Sequence, residues 1–351
     1  MLRTSNEPDR CGQEGCFEQQ TRKDYQTGQE IRWCPGCGDY AILTQVQKVL
    51  PKLGIPRENV VFISGIGCAS RFPYYVNTYG MHSIHGRAPA IATGVKCANP
   101  ALSVWVVTGD GDGLSIGTNH LIHCMRRNVD VNILLLNNRI YGLTKGQYSP
   151  TSEFGKRTKS SPFGSIEQPI SPVRMALAAQ ASFIARTVYA DQSHMAQILE
   201  AAARHRGTSF VEILQNCRVF NDGAFDRLTD RELSDDERIN LEHGRPIVFG
   251  KDRRKAIAVR NMEPVTIDLD RDGAIESQVL VHDVAATSPA LAALLAALEP
   301  PNFPTALGIF RDVEKPTYNE LLLSQIEELT RTRGRGNLDQ LLTAGTTWEV
   351  E

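Results

Sequence analysis

The chain has 351 residues, enough for one large α/β domain or two ordinary ones. Apolar residues make up 41% and charged residues 22%, the balance of a packed globular protein rather than a disordered one. Its 38 basic and 40 acidic residues leave a net charge of −2, which argues against a nucleic-acid binder or a polybasic membrane ligand. No run approaches the ~18 consecutive apolar residues of a membrane span. The stretch MLRTSNEPDRCGQEG has no apolar core, so no secretory signal is expected and the cytoplasm is the expected compartment. Eight cysteines in a reducing compartment read as buried thiols, metal ligands or catalytic groups, not as a disulfide framework.

Residues 1–30 are polar and aperiodic and read as an N-terminal arm. From 34 to 217, strand-like and helix-like runs alternate. Helical spacing of Ile42, Val46, Val49 and Leu50 predicts a helix over 39–50, with Asp39 as a candidate N-cap. Strands follow at 59–64, 103–108, 131–136, 183–189 and 209–214. Helices are expected at 87–98, 114–127, 171–182 and 193–205. Continuous apolar strands separated by helices indicate an α/β fold, a parallel sheet with helices on both faces. Such sheets bind ligands at the carboxyl ends of their strands. The polar stretch 144–170 is too long for a plain connection and reads as a lid, a partner contact or a solvated excursion. Beyond 218 the pattern weakens: 226–238 reads as a solvated helix face, 256–269 as strands and 289–299 as an Ala/Leu helix. RTRGRG at 331–336 reads as a flexible linker. The expected division is 1–30 arm, 31–225 binding domain and 226–351 C-terminal extension.

The strand ends carry the unusual residues. One buried strand delivers Gly109-Asp110-Gly111-Asp112, and a second delivers Asn137-Asn138. Glycines beside Asp110 permit a tight turn and a close approach to a ligand. An anionic oxygen from Asp110 and a neutral one from Asn138 are hard donors suited to Mg²⁺, which bridges readily to phosphate. A helix opening near Leu114 would aim amides at the same anion. The cysteines form a second constellation. Cys34-Pro35-Gly36-Cys37 lets two thiolates reach one centre, while Cys68 and Cys217 each follow a strand. Four thiolates from one end of a sheet suit either a 4Fe–4S cluster or tetrahedral zinc, and spacing alone leaves both open. Cys97 and Cys124 lie in helical patterns and read as buried thiols. Cys11 and Cys16 lie in the arm. His82, His85 and Arg87 sit together in MHSIHGR, where His85 and Arg87 are candidates for contact with a phosphate or carboxylate.

The GDG run followed by NN resembles the thiamine-diphosphate signature. That resemblance implies Mg²⁺ held by Asp110 and Asn138 side chains and the Ile140 carbonyl, with Gly111, Asp112, Gly142 and Leu143 lining the diphosphate. Taken with WCPGCGDY, GIGCASR, HGRAPAIATG, LLLNNRIYGLTKGQYSPTS and EILQNCRVFN, the chain from Trp33 to about Asn221 resembles the β subunits of the 2-oxoacid:ferredoxin oxidoreductases. The family implies a thiamine-diphosphate pyrophosphate-binding domain and a 4Fe–4S cluster on Cys34, Cys37, Cys68 and Cys217. It also implies that the turn Ile66, Gly67, Cys68 and Ala69 touches the thiamine cofactor as well, with His85, Gly86 and Gly109 nearby. It implies coenzyme A as acyl acceptor, ferredoxin as electron acceptor, and an α subunit that supplies the activating glutamate, in an (αβ)₂ assembly. In the family the TKGQ-x-SPTS stretch goes with 2-oxoglutarate-type and broad 2-oxoacid enzymes, and Lys145 is then a candidate partner for a substrate carboxylate. The expected reaction is the reversible conversion of 2-oxoglutarate and coenzyme A to succinyl-CoA and CO₂. The alternatives are a pyruvate or branched-chain enzyme of the family, a non-redox thiamine decarboxylase, and a non-catalytic zinc protein.

Overall fold

The computed structural model describes residues 20–270, 278–348 and 350. Cys11, Cys16 and the arm up to residue 19 lie outside the described residues, as does 271–277 of the C-terminal stretch. In chain order the elements are α1 (Asp39–Val49), β1 (Val60–Ser64), α2 (Phe72–Tyr75), β2 (Tyr79–His82), α3 (Ala88–Ala98), β3 (Ser103–Gly109) and α4 (Asp110–Gly113). Then come α5 (Thr118–Arg126), β4 (Asn132–Asn137), α6 (Pro172–Ala178), β5 (Phe183–Val188), α7 (Gln192–Arg204) and β6 (Ser209–Leu214). The C-terminal part holds α8 (Asp226–Thr229), α9 (Ser234–Glu237), β7 (Arg238–Leu241), β8 (Val248–Phe249), β9 (Lys255–Arg260) and β10 (Glu263–Asp268). It ends with α10 (Ala290–Leu295), β11 (Thr305–Asp312), α11 (Tyr318–Arg333) and α12 (Leu338–Leu342).

Among the described residues, eight strands form one sheet in the order β2-β1-β3-β4-β6-β5-β11-β7, and β10-β9-β8 form a small antiparallel sheet. From β2 to β5 every pairing is parallel; β11 then runs antiparallel to β5 and parallel to β7. Side chains on a strand alternate between faces, and the two cores follow that period. Val104, Val106, Ile133 and Leu135 face one side, toward α3, α5, α6 and α10. Trp105, Val107, Leu134 and Leu136 face the other, toward α1 and α7. Burial on both faces explains why these strands read as unbroken apolar runs.

Three sequence expectations shift. Gly38, not Asp39, is the N-cap of α1; Asp39 is the first helical residue and is fully buried. The helix expected over 114–127 begins at Thr118, because the GDGD run coils into a helical turn of its own, closed by the Leu114 amide on the Asp110 carbonyl at 2.9 Å. The stretch 226–351 supplies β7 and β11 to the main sheet and Leu295 to its core. β2, an exposed edge strand, and β11 have no counterpart in the sequence pattern. No described helix is long and apolar enough to cross a membrane.

Candidate functional site

The chain enters the sheet at β1, turns to β2 on one side and crosses to β3 on the other, so the strand order reverses between β1 and β3. A crevice opens at the carboxyl end of a parallel sheet at such a point. The turns after β1 and β3 are Gly65-Ile66-Gly67-Cys68 and Asp110-Gly111-Asp112, and they form its walls. One cleft is lined by Ile66, Gly67, Cys68, Ala69, His85, Gly109, Asp110, Gly111, Asp112, Asn138, Ile140, Gly142 and Leu143. Tyr141 and Thr144 line it too.

Asp110 is 2% exposed. Its Oδ2 accepts the hydroxyls of Ser149 at 2.5 Å and Thr151 at 2.7 Å. Burial raises its pKa, while those two hydroxyls and the backbone amides of Gly111 and Asp110 pull it down. No Lys, Arg or His pairs with it among the described residues. A buried carboxylate held only by neutral donors lacks a counter-charge, the deficit a bound cation fills. Asn138 is 8% exposed and lines the same cleft, its Oδ1 accepting the Ile140 amide at 3.1 Å.

Asp112 has a different task. Its Oδ1 accepts the amides of Ile66 at 3.1 Å and Gly86 at 2.7 Å, and its Oδ2 accepts the Thr108 hydroxyl at 2.6 Å. One carboxylate therefore ties together the turn after β1, the HGR loop and the end of β3. His85 Nδ1 stands 2.7 Å from Oδ1, a close approach without the alignment of a hydrogen bond. Gly65 must be glycine, because a Cβ there would lie 1.9 Å from Asp112 Oδ2. At Gly111 a Cβ would lie 2.3 Å from the Tyr141 ring, whose hydroxyl donates to the Gly111 carbonyl at 2.9 Å. The glycine thus admits the Tyr141 ring.

All four candidate cysteines line a second cavity of about 210 Å³. Three tethers bring them there. The Trp33 indole donates to the Cys68 carbonyl at 2.7 Å. The Gly38 amide donates to the Asn216 carbonyl at 3.2 Å, an approach so close that a Cβ on Gly38 would meet Gln215 Oε1 at 2.7 Å. Asn221 Nδ2 donates to the Asn138 carbonyl at 2.9 Å. Burial raises the Cys37 thiol strongly and the Cys68 thiol to about 12, with the buried Asp39 carboxylate adding to both. Burial also lifts Asp39 itself to about 7, and neither of its carboxylate oxygens has a well-aligned hydrogen bond. Among the described residues no three Cys, His, Asp or Glu side chains converge on a point that would hold a single metal ion. The four cysteines share the walls of one cavity instead, a donor set that suits a 4Fe–4S cluster or zinc. The two cavities adjoin: Cys68, Asn138, Gly142 and Leu143 line both. Gly142 faces the sulfurs, since a Cβ on it would sit 3.5 Å from Cys68 Sγ and 3.7 Å from Cys217 Sγ.

Three candidates lie elsewhere. Gly86 is buried and gives its amide to Asp112. Arg87 caps α3 and donates to the carbonyls of His85 and Ile116 at 3.2 and 3.3 Å, so its charge holds the loop. Lys145 is exposed at the mouth of the cysteine cavity, with Arg32, Arg71 and Arg218, and does not line the first cleft. Sequence reasoning missed Ser149 and Thr151 as partners of Asp110. The SPTS run was their signal, and its buried hydroxyls set it apart from a solvated loop. Cys124 is buried as expected, and Cys97 is partly exposed.

The chain is similar to known proteins over most of its length. Residues 65–213 match the family model described as thiamine pyrophosphate enzyme, C-terminal TPP binding domain. The chain is 52% identical over 335 residues to the 2-oxoglutarate oxidoreductase subunit KorB of Mycobacterium tuberculosis, covering 95% of this chain and 89% of that one. It is 44% identical over 198 residues to the 2-oxoacid:ferredoxin oxidoreductase 1 subunit beta of Aeropyrum pernix, covering 56% and 62%. Among solved structures it is similar to the 2-oxoglutarate:ferredoxin oxidoreductase from Magnetococcus marinus with 2-oxoglutarate, coenzyme A and succinyl-CoA bound. The TM-score is 0.74 at 31% identity, over 95% of this chain and 98% of that one.

Proposed function

The chain belongs to the β subunits of the 2-oxoacid:ferredoxin oxidoreductases, and from that premise we propose that it is the thiamine- and cluster-bearing half of a 2-oxoglutarate:ferredoxin oxidoreductase. The reaction converts 2-oxoglutarate and coenzyme A reversibly to succinyl-CoA and CO₂, with electrons passing to ferredoxin. The observation that carries the reading is the shared wall. Cys68, Asn138, Gly142 and Leu143 face both the cleft and the cysteine cavity, so a redox centre in one adjoins a coenzyme in the other.

Asp110 and Asn138 side chains and the Ile140 carbonyl would hold Mg²⁺, and the uncompensated Asp110 carboxylate fits that charge. Gly109, Gly111, Gly142 and Leu143 would border the diphosphate. Cys34, Cys37, Cys68 and Cys217 would hold a 4Fe–4S cluster. Bound there, thiamine diphosphate supplies the electron sink for decarboxylation and the cluster a one-electron outlet. The protein's part is placement: Asp112 fixes the turn after β1 against the His85 loop, and Tyr141 closes over Gly111. His85, next to Asp112 on the cleft wall, is placed to contact the diphosphate or the substrate. The family's activating glutamate comes from an α subunit, so the working unit is an α/β pair, doubled. The cations at the cysteine cavity's mouth suit an acidic electron carrier such as ferredoxin.

The test is co-expression with the α partner and anaerobic purification, followed by iron, sulfide and thiamine analysis. Ferredoxin reduction is then assayed with 2-oxoglutarate, pyruvate and branched-chain 2-oxoacids. A brown complex with about four irons per β chain and a preference for 2-oxoglutarate is expected. Zinc in place of iron, or full turnover by the β chain alone, refutes the proposal.

A further inference from the structure

Asn137, the last residue of β4, is 2% exposed and takes no direct part in the chemistry proposed above. Its Nδ2 donates to Glu212 Oε1 at 2.7 Å. Glu212 is in turn bound through Oε2 to Arg186 Nε at 2.6 Å, and both side chains are almost wholly buried. Arg186 also reaches Glu299 at 3.1 Å, on the segment after α10. With the Arg186 guanidinium donating to Oε2, the carboxylate of Glu212 presents Oε1 as an acceptor, and it is the NH₂ of the amide that faces it. The orientation of Asn137 is therefore set by charge, and its oxygen is turned toward the strand ends.

That oxygen meets two donors. The Arg139 amide reaches it at 3.1 Å and the Thr151 hydroxyl at 2.9 Å. Arg139 has φ 55 and sits inside the turn that carries Asn138 and Ile140. The Thr151 hydroxyl shares its single proton with Asp110 Oδ2, 2.7 Å away. One amide thus reaches Asp110 through Thr151, and Asn138 and Ile140 through the Arg139 amide. Resting on the cation site proposed above, we propose that Asn137 is a positioning residue that holds all three expected Mg²⁺ donors in register, and that the Arg186–Glu212 pair fixes its amide. Through Glu299 the C-terminal part of the chain braces the cation site as well.

The test inverts the polarity of one hydrogen bond. The α/β complex is stripped of metal and cofactor and titrated with Mn²⁺ in the presence of thiamine diphosphate, followed by electron paramagnetic resonance. Asn137→Asp sets an oxygen against Glu212, so the side chain must turn away. Mn²⁺ binding should weaken about tenfold or more, with altered hyperfine lines, although a negative charge has been added near the cation. Adding Glu212→Gln restores a donor facing that oxygen and should return the affinity to within about threefold of the parent. Thr151→Val should weaken binding about tenfold and Thr151→Ser should not. Thermal melting of each metal-free complex confirms folding. Tighter or unchanged Mn²⁺ binding by Asn137→Asp, or no recovery in the double variant, overturns the proposal. A parent complex that takes up no Mn²⁺ with thiamine diphosphate overturns the cation reading itself, and this inference with it.

Discussion

Trp33 donates its indole N–H to the Cys68 carbonyl across 2.7 Å, so the first cysteine pair is fastened to the third cysteine by a ring rather than by sulfur. The ring is 6% exposed and stands edge-on to Tyr40 and Tyr75, with centroids 5.5 and 4.9 Å away. Trp33→Phe keeps much of that packing and removes the N–H. A loss of about 1 kcal/mol in stability is expected, together with faster iron release to a chelator. Unchanged release kinetics would show that the tether does not hold the cysteine cavity.

Gly65→Ala pushes a methyl into Asp112 Oδ2 and frees the amides of Ile66 and Gly86 from their shared acceptor. The variant should lose bound thiamine diphosphate and iron together. Gly94→Ala, inside α3 with nothing within 4 Å of the added methyl, is the matched control. It should be neutral or stabilising by up to about 1 kcal/mol. Cofactor analysis of both proteins decides the point; a Gly65→Ala protein with full thiamine content contradicts it.

Lys145 and Arg71 form no ion pair among the described residues, whereas Arg32 and Arg218 pair with Glu30 and Asp222. Lys145→Ala should therefore raise the KM for ferredoxin about threefold at low ionic strength. The difference should shrink as salt screens the encounter. The KM for 2-oxoglutarate should stay where it is. A selective rise in the 2-oxoglutarate KM would return Lys145 to the carboxylate role that its sequence context implies.

His282 is fully buried, its Nε2 2.7 Å from the Ile309 carbonyl on β11. Burial, ahead of the bond to Ile309, lowers its pKa below the ordinary 6.5. Burial lowers His194 in the same way. A histidine whose folded pKa lies below its unfolded one stabilises the neutral form. Its contribution is whole above about 6.5 and is lost as pH falls toward the folded value. The raised Asp39 carboxyl works in the opposite sense over the same range, taking up its proton more readily folded than unfolded, so the readout is a difference: the melting temperature of His282→Asn relative to the parent should rise as pH falls below about 6.5. Equal slopes for parent and variant would remove His282 from the account.

The parallel sheet was legible because β3, β4 and β6 are buried on both faces and read as unbroken apolar runs. β2 was not legible, since all four of its residues are exposed and only pairing with β1 makes it a strand. β11 escaped because it completes the sheet from far along the chain, paired antiparallel to β5. At the site, Asp110, Asn138 and the four cysteines stood out by residue type and spacing, and the fold brings them to two adjoining cavities. Asp112 did not show its role: a carboxylate beside a diphosphate motif reads as a contact, and only folding shows it occupied by amides of two other loops. Ser149 and Thr151 were hidden because a hydroxyl has no meaning until its acceptor is known. Arg87 and Lys145 were placed only by folding: Arg87 donates to the carbonyls of its own loop and of Ile116, and Lys145 lines the cysteine cavity.

Cys68 belongs to two cavities at once, and that joint membership limits how the subunit can change over evolutionary time. On the cofactor assignment proposed above, neither prosthetic group would have a module of its own that could be deleted, swapped or duplicated while the other stayed intact. A lineage that abandoned the iron would have to rebuild the turn beneath its vitamin-derived coenzyme, and damage by oxygen at the sulfurs would reach the adjoining cleft directly.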